Sequence, residues 1–173
     1  MATNRGLYKY SYLTNSFQHI VLEKKDEKIR VSSLIEDGKH NLLIGTSGYG
    51  AYRLDMTTGK VTRLSRKSAN SVDNFFAILF FDAEGYLWQA NHTKVLRKYK
   101  YNGKSIKLVS VYEPKDLFGI RKLYATDKKG FFVAHTGGIM RYDYASHSFS
   151  RYDFDFSAHQ GAGYISTATL DKY

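Results

Sequence analysis

Gly50-Ala51-Tyr52-Arg53-Leu54-Asp55 is the stretch from which the rest of the chain can be read. Forty-four residues earlier stands Gly6-Leu7-Tyr8-Lys9-Tyr10-Ser11, and forty-four later Lys94-Val95-Leu96-Arg97-Lys98-Tyr99. A further step of forty-four reaches Gly138-Ile139-Met140-Arg141-Tyr142-Asp143. Each copy runs from a small or apolar residue to a large apolar one and then to a base. A second ladder runs beside the first: Asp37, Asp82, Asp127 and Asp171, at steps of 45, 45 and 44. The first three lead into turns, Asp37-Gly38-Lys39-His40, Asp82-Ala83-Glu84-Gly85 and Asp127-Lys128-Lys129-Gly130. Strand-like runs follow, Leu42-Leu43-Ile44, Tyr86-Leu87-Trp88 and Phe131-Phe132-Val133, which close on Thr46, Asn91 and Thr136.

Each repeat reads as four short strands, labelled a to d. Strand a precedes the Asp (Phe76-Ala77-Ile78-Leu79-Phe80), and strand b follows the turn (Tyr86-Leu87-Trp88-Gln89-Ala90). Strand c carries the base (Val95-Leu96-Arg97-Lys98-Tyr99), and strand d is more polar (Ile106-Lys107-Leu108-Val109). Turn residues such as Thr58-Gly59 and Asn102-Gly103 join c to d, as in hairpins. Four strands per 40–50-residue repeat is the pattern of a β-propeller blade. The expected fold is therefore all-β, with blades at 30–73, 74–117 and 118–160. Residues 1–29 would supply strands c and d of a partial blade, and 161–173 the first strand of the next. Joining the two ends would leave a blade one strand short, so the chain reads as a segment of a larger propeller. Its two bare blade faces are expected to drive self-association, or else Gly6–Ile20 would close against 165–170.

Composition agrees with a folded domain. Of 173 residues, 43% are hydrophobic and 24% charged, and 15 Tyr with 11 Phe favour strands. The net charge is +10, but the basic residues form no dense run: Lys24-Lys25-Asp26-Glu27-Lys28 is interrupted by acids. No nucleic-acid motif accompanies the charge, so nucleic acid is not an expected partner. The absence of Cys excludes disulfides and thiolate metal sites. No apolar run approaches the ~20 residues that span a bilayer. No metal-ligand pair or nucleophile elbow is present, and no cofactor or catalytic residue is expected.

The repeat resembles the two-component-regulator propeller repeat. The matching residues in the best copy are Asp37, Leu43, Gly45, Thr46, Gly50, Tyr52, Arg53 and Gly59-Lys60-Val61. Trp88 fills the Trp position of that repeat in the second copy, where Leu43 and Val133 stand in the others. Asn91 and Lys94 depart from its usual Thr and Gly. The resemblance implies the periplasmic sensor region of a hybrid two-component protein of the Bacteroidetes type, in which propellers precede a membrane helix and a histidine kinase. It also implies sensing of an oligosaccharide, with anionic ones included on account of the charge. No kinase motif lies in this chain. A polysaccharide lyase or glycosidase propeller and a protein-interaction scaffold are the alternatives. Asp82-Ala83-Glu84-Gly85-Tyr86-Leu87-Trp88 resembles the Asp-box of sialidases, itself a structural turn.

Asp37, Asp82 and Asp127 are expected to hold the a–b turns through nearby backbone N–H groups. Loops b–c and d–a share the other end of the blades. They carry the candidate ligand-binding residues Arg5, Tyr49, Asn70, Asn74, Asn91, His92, His135 and His159. Sugars present apolar CH faces and many hydroxyls, which amide, imidazole, guanidinium and aromatic groups complement. The basic column Lys9, Arg53, Arg97 and Arg141 reads as a polar face or as contacts to a neighbouring blade's aromatic or carboxylate groups, with a stripe that binds anionic sugars as the alternative.

Overall fold

The computed structural model describes residues 1–23, 28–65, 74–92, 94–125 and 128–152. Asn70, Asp127, His159 and the expected closing segment 165–170 lie outside these residues. Four sheets follow one another along the chain. The first holds β1 (Ala2–Thr3), β2 (Gly6–Ser11) and β3 (Ser16–Ile20). The second holds β4 (Val31–Glu36), β5 (Asn41–Thr46), β6 (Ala51–Asp55) and β7 (Val61–Arg63). The third holds β8 (Ile78–Phe81), β9 (Tyr86–Ala90), β10 (Leu96–Tyr101) and β11 (Ile106–Tyr112). The fourth holds β12 (Lys122–Ala125), β13 (Gly130–His135), β14 (Gly138–Asp143) and β15 (Ser148–Tyr152). Within each sheet the strands pair in sequence order. The first sheet has three strands and the other three are four-stranded meanders, the form of a propeller blade, so the fold is all-β. Two compact units form: Met1–Leu79 with Lys100–Lys107, and Phe80–Tyr99 with Leu108–Tyr173.

In the first unit, antiparallel pairing sets Ile44 opposite Tyr52 and Leu42 opposite Leu54, so these four share one face of the sheet. Leu7 of β2 packs into that face with Val31, Ile44, Tyr52 and Leu54. The Tyr52 hydroxyl donates to Glu23 at 2.6 Å, and Glu23 also pairs with the Arg63 guanidinium, which lies 5.5 Å over the Tyr52 ring. The other face is sealed by backbone. Gly45 sits against the Phe76 carbonyl oxygen so closely that any Cβ there would overlap it. Phe76 is itself buried and donates its N–H to the Thr46 carbonyl at 2.9 Å.

Asp37 holds its turn in the same unit. Its Oδ1 accepts the N–H groups of Lys39 (2.8 Å) and Asn41 (3.1 Å), and its Oδ2 accepts the Tyr101 hydroxyl at 3.0 Å. Burial raises the Asp37 pKa, but the Asn41 side-chain amide, which donates to Oδ2 at 2.8 Å, outweighs it together with these bonds and holds the group below its ordinary value. Arg53 donates from Nη1 to the Gly103 carbonyl at 2.5 Å. This member of the basic column therefore clasps the β10–β11 turn.

The second unit is built on aromatic packing. Trp88 is fully buried, with ring centroids of Phe131 and Tyr142 both at 4.9 Å and Tyr112 at 5.3 Å. Its indole N–H donates to Asp82 Oδ2 at 2.7 Å, while Asp82 Oδ1 accepts the N–H groups of Glu84 (3.0 Å) and Tyr86 (2.8 Å). One carboxylate thus ties the turn to the core. Lys98 is buried as well. Its ammonium lies 4.0 Å from the Tyr86 ring centroid and 3.2 Å from Glu84 Oε2, which satisfies a charge that would otherwise be costly inside.

One alignment needs correction. Leu43 and Val133 are expected to be equivalent strand-b positions, and both are fully buried. Their pairing differs, however. Leu43 stands opposite the basic-column residue Arg53, whereas Val133 stands opposite Met140 and it is Phe132 that faces Arg141. The cause is spacing: 16 residues separate Asp37 from Arg53, but only 14 separate Asp127 from Arg141. Positions counted from the Asp and from the base therefore fall out of step. A slip of one residue moves a side chain to the opposite face.

Candidate ligand-binding loops

In the second unit three loops meet. The β9–β10 loop carries Asn91, His92 and Lys94; the β11–β12 loop runs over 113–121; the β13–β14 turn carries His135, Thr136 and Gly137. The long middle loop is held by backbone bonds at both ends. Leu117 N–H donates to the Pro114 carbonyl (3.1 Å), Thr136 N–H to the Phe118 carbonyl (3.1 Å) and Arg121 N–H to the Ala134 carbonyl (2.9 Å). Leu117 and Ile120 are fully buried anchors, and Phe118 between them is 53% exposed. Gly119, at φ +60°, makes this turn possible, and a side chain there would also collide with Thr136. Phe118 is thus presented as a rigid apolar plate rather than buried as core.

The polar groups around it differ in availability. His92 is exposed, with Nδ1 3.4 Å from the Ile120 carbonyl. Lys94 is exposed and pairs loosely with Glu113 at 3.8 Å. Lys115, Asp116 and Arg121 are also exposed. Asn91 and His135, by contrast, are buried. The His135 ring meets Phe118 edge to face at 5.8 Å, and its Nδ1 accepts the Gly137 N–H at 3.2 Å. Of the sequence-based candidates described in this unit, His92 reaches solvent, whereas Asn91 and His135 are buried.

Burial is the main cause that lowers the His135 pKa; the Arg151 charge adds to it, and the Phe118 carbonyl and Asp116 oppose it. The unfolded state then binds the proton more readily than the folded state. The associated stability is complete above the unfolded value of ~6.5 and is lost as pH falls from there through the lowered folded value. Urea midpoints measured between neutral and mildly acidic pH should fall in the wild type, and fall less in His135→Gln. Equal slopes would mean that His135 is not the group responsible.

The first unit carries a second loop cluster. The Thr46 hydroxyl donates to the Gly50 carbonyl (2.6 Å) and accepts the Tyr49 N–H (3.2 Å), and the Gly50 N–H donates to the Asn74 carbonyl (2.7 Å). Asn74 is buried, and Tyr49 packs its body against the core cluster. Arg5 is exposed in the β1–β2 turn, where its N–H donates to Thr3 Oγ1 at 3.1 Å. At the opposite end of the strands a groove of about 550 Å³ opens between Leu7, Tyr8, Tyr10, Leu42, Leu54 and Asp55.

Phe118 is the site residue that sequence reasoning missed. Leu117-Phe118-Gly119-Ile120 reads as one apolar run; the glycine inside it was the available sign of a turn. Among the described residues, no three His, Asp or Glu side chains are grouped as a metal ion requires, and no helix is long and apolar enough to cross a membrane.

Comparison with known proteins places the fold. No family model and no curated sequence matches the chain. Among solved structures it is similar to the extracellular domain of a protein described as a hybrid two component system of B. thetaiotaomicron. That likeness has 19% identity, a TM-score of 0.72 and coverage of 88% of this chain and 21% of that one. It is also similar to the Cps50 (Swd1) β-propeller domain of Myceliophteria thermophila, at 10% identity and TM-score 0.60 over 79% of this chain and 49% of that one. The RRP9 WD40 repeats follow, at 9% identity and TM-score 0.55 over 75% and 39%. The chain spans about a fifth of the length of the first of these. It has the β-propeller fold.

Proposed function

We propose that this chain is a ligand-sensing propeller segment of a hybrid two-component signalling protein, lying in the periplasm and binding an oligosaccharide without chemically altering it. The observation that carries the ligand reading is Phe118. A half-exposed aromatic plate between two buried neighbours lies on a loop that also carries the exposed Asp116, and His92 and Lys94 meet that same loop at Ile120 and Glu113, so a stacking face and hydrogen-bonding groups of both signs belong to one loop cluster. That combination suits a sugar ring better than a flat apolar partner. The likeness to an extracellular domain of a hybrid two component system supports the setting, as does the repeat motif around Asp37, Gly45 and Arg53. Signalling itself would belong to other parts of such a protein.

The test is a thermal-shift and calorimetric screen of the chain against neutral and anionic oligosaccharides. A true ligand at a hundred times its Kd stabilises the folded state by about 2.7 kcal/mol. Phe118→Ala should abolish that gain while changing the stability of the free chain by no more than about 1.5 kcal/mol, because the ring is half-exposed and its aromatic contact is with His135. Binding unaffected by Phe118→Ala would move the site elsewhere. Cleavage of the bound sugar would overturn the sensory reading.

A further inference from the structure

Strand β11 is the edge of its sheet. It runs seven residues, against three for the outer strand β7 and five each for β3 and β15. Edge strands in soluble proteins are usually kept short, charged or bulged, because their free N–H and C=O groups recruit other strands. The middle of β11, Leu108-Val109-Ser110-Val111, carries no charge, and Leu108, Val109 and Val111 are 49%, 50% and 47% exposed. This edge is unprotected along its central four residues.

We infer that β11 pairs with β11 of a second copy of this chain, antiparallel and centred on Ser110. Within residues 106–113, where Lys107 and Glu113 are the charged residues, this is the antiparallel register that sets unlike charges opposite each other. Lys107 and Glu113 stand three residues to either side of Ser110, so the two-fold axis sets Lys107 opposite Glu113 in both halves. Val109 then faces Val111, and Leu108 faces Tyr112. Both charged residues are exposed. The contact of Glu113 with Lys94 is long and solvated, so it competes weakly. A parallel arrangement would bring like charges together. Pro114 would stand opposite Ile106 and has no N–H to donate, which ends the ladder after Glu113. The pairing is therefore short and closed at two copies. It uses the outer rim of the blade, not the blade faces from which self-association is expected on sequence grounds.

Sedimentation equilibrium of the full 173-residue chain reads this directly. The mass should rise with concentration from 19.8 kDa towards two chains and no further. Lys107→Glu alone, or Glu113→Lys alone, should weaken association about tenfold, since each replaces two opposite-charge contacts by two like-charge ones. The two together should restore it to within about threefold of wild type. Val109→Lys provides a second route to loss, and circular dichroism checks that each variant stays folded. A mass that remains at one chain up to millimolar concentration overturns the inference. So does growth beyond two copies, association indifferent to the single reversals, or a double reversal that stays monomeric.

Discussion

Trp88→Ala should lower the unfolding free energy by about 3–5 kcal/mol, the usual cost of deleting a large aromatic from a packed core. The indole is fully buried and bounded by Tyr112, Phe131 and Tyr142, none of which can fold into the space it vacates without losing its own contacts. The substitution also removes the N–H that Asp82 Oδ2 accepts at 2.7 Å, leaving part of a buried carboxylate unpaired. Trp88→Phe separates these contributions. It keeps most of the ring and loses the hydrogen bond, and should cost about 1–3 kcal/mol. Urea unfolding followed by circular dichroism measures both. A midpoint for Trp88→Ala equal to wild type would mean that the ring does not lie in the core of its unit.

Gly45→Val should destabilise the first unit by about 1–3 kcal/mol, although valine suits a strand far better than glycine does. The conflict with intrinsic preference makes the result informative. Gly45 lies mid-sheet between Ser33 and Ala51, and nothing in its pairing disfavours a branched side chain. The obstacle is the Phe76 carbonyl, which a Cβ would overlap, with the Leu79 side chain behind it. The carbonyl is backbone and cannot rotate away. Phe76 is held by its own buried ring and by its N–H bond to Thr46, so the segment can yield only by giving up that bond. An unchanged or raised urea midpoint would show that the Phe76 backbone does not sit against β5.

The loops show why candidate residues were only half legible. Asn74, Asn91 and His135 are polar residues between strands, a setting that usually means solvent. All three are buried, and Asn74 and His135 lie where loops distant in sequence meet: Gly50 bonds to Asn74, and Thr136, beside His135, bonds to Phe118. Those bonds join residues 18 and 24 positions apart, beyond the reach of any local pattern. Phe118 fails in the opposite direction, as an aromatic in an apolar run that ends up at the surface. Strand β11 likewise extends to Tyr112, beyond the Val109 at which the repeat pattern would end it.

Strand identity, turn position and the four-strand repeat could be read from residues alone. Each depends on alternation, on Gly or Asn in a turn, or on an Asp bonding N–H groups two to four residues ahead, as Asp37 and Asp82 do. Such interactions are short in sequence, so the pattern carries them. Which face each strand-b residue presents could not be read that way. It is set by register against strand c, and two missing residues between Asp127 and Arg141, relative to Asp37 and Arg53, shift that register without disturbing the pattern on either side. The aromatic cluster around Trp88 and the cation held over Tyr86 join residues on different strands, and the exposure of Phe118 depends on the turn at Gly119 between the buried Leu117 and Ile120. Hydrogen bonds across strands decide the register, and the order of residues along one strand does not.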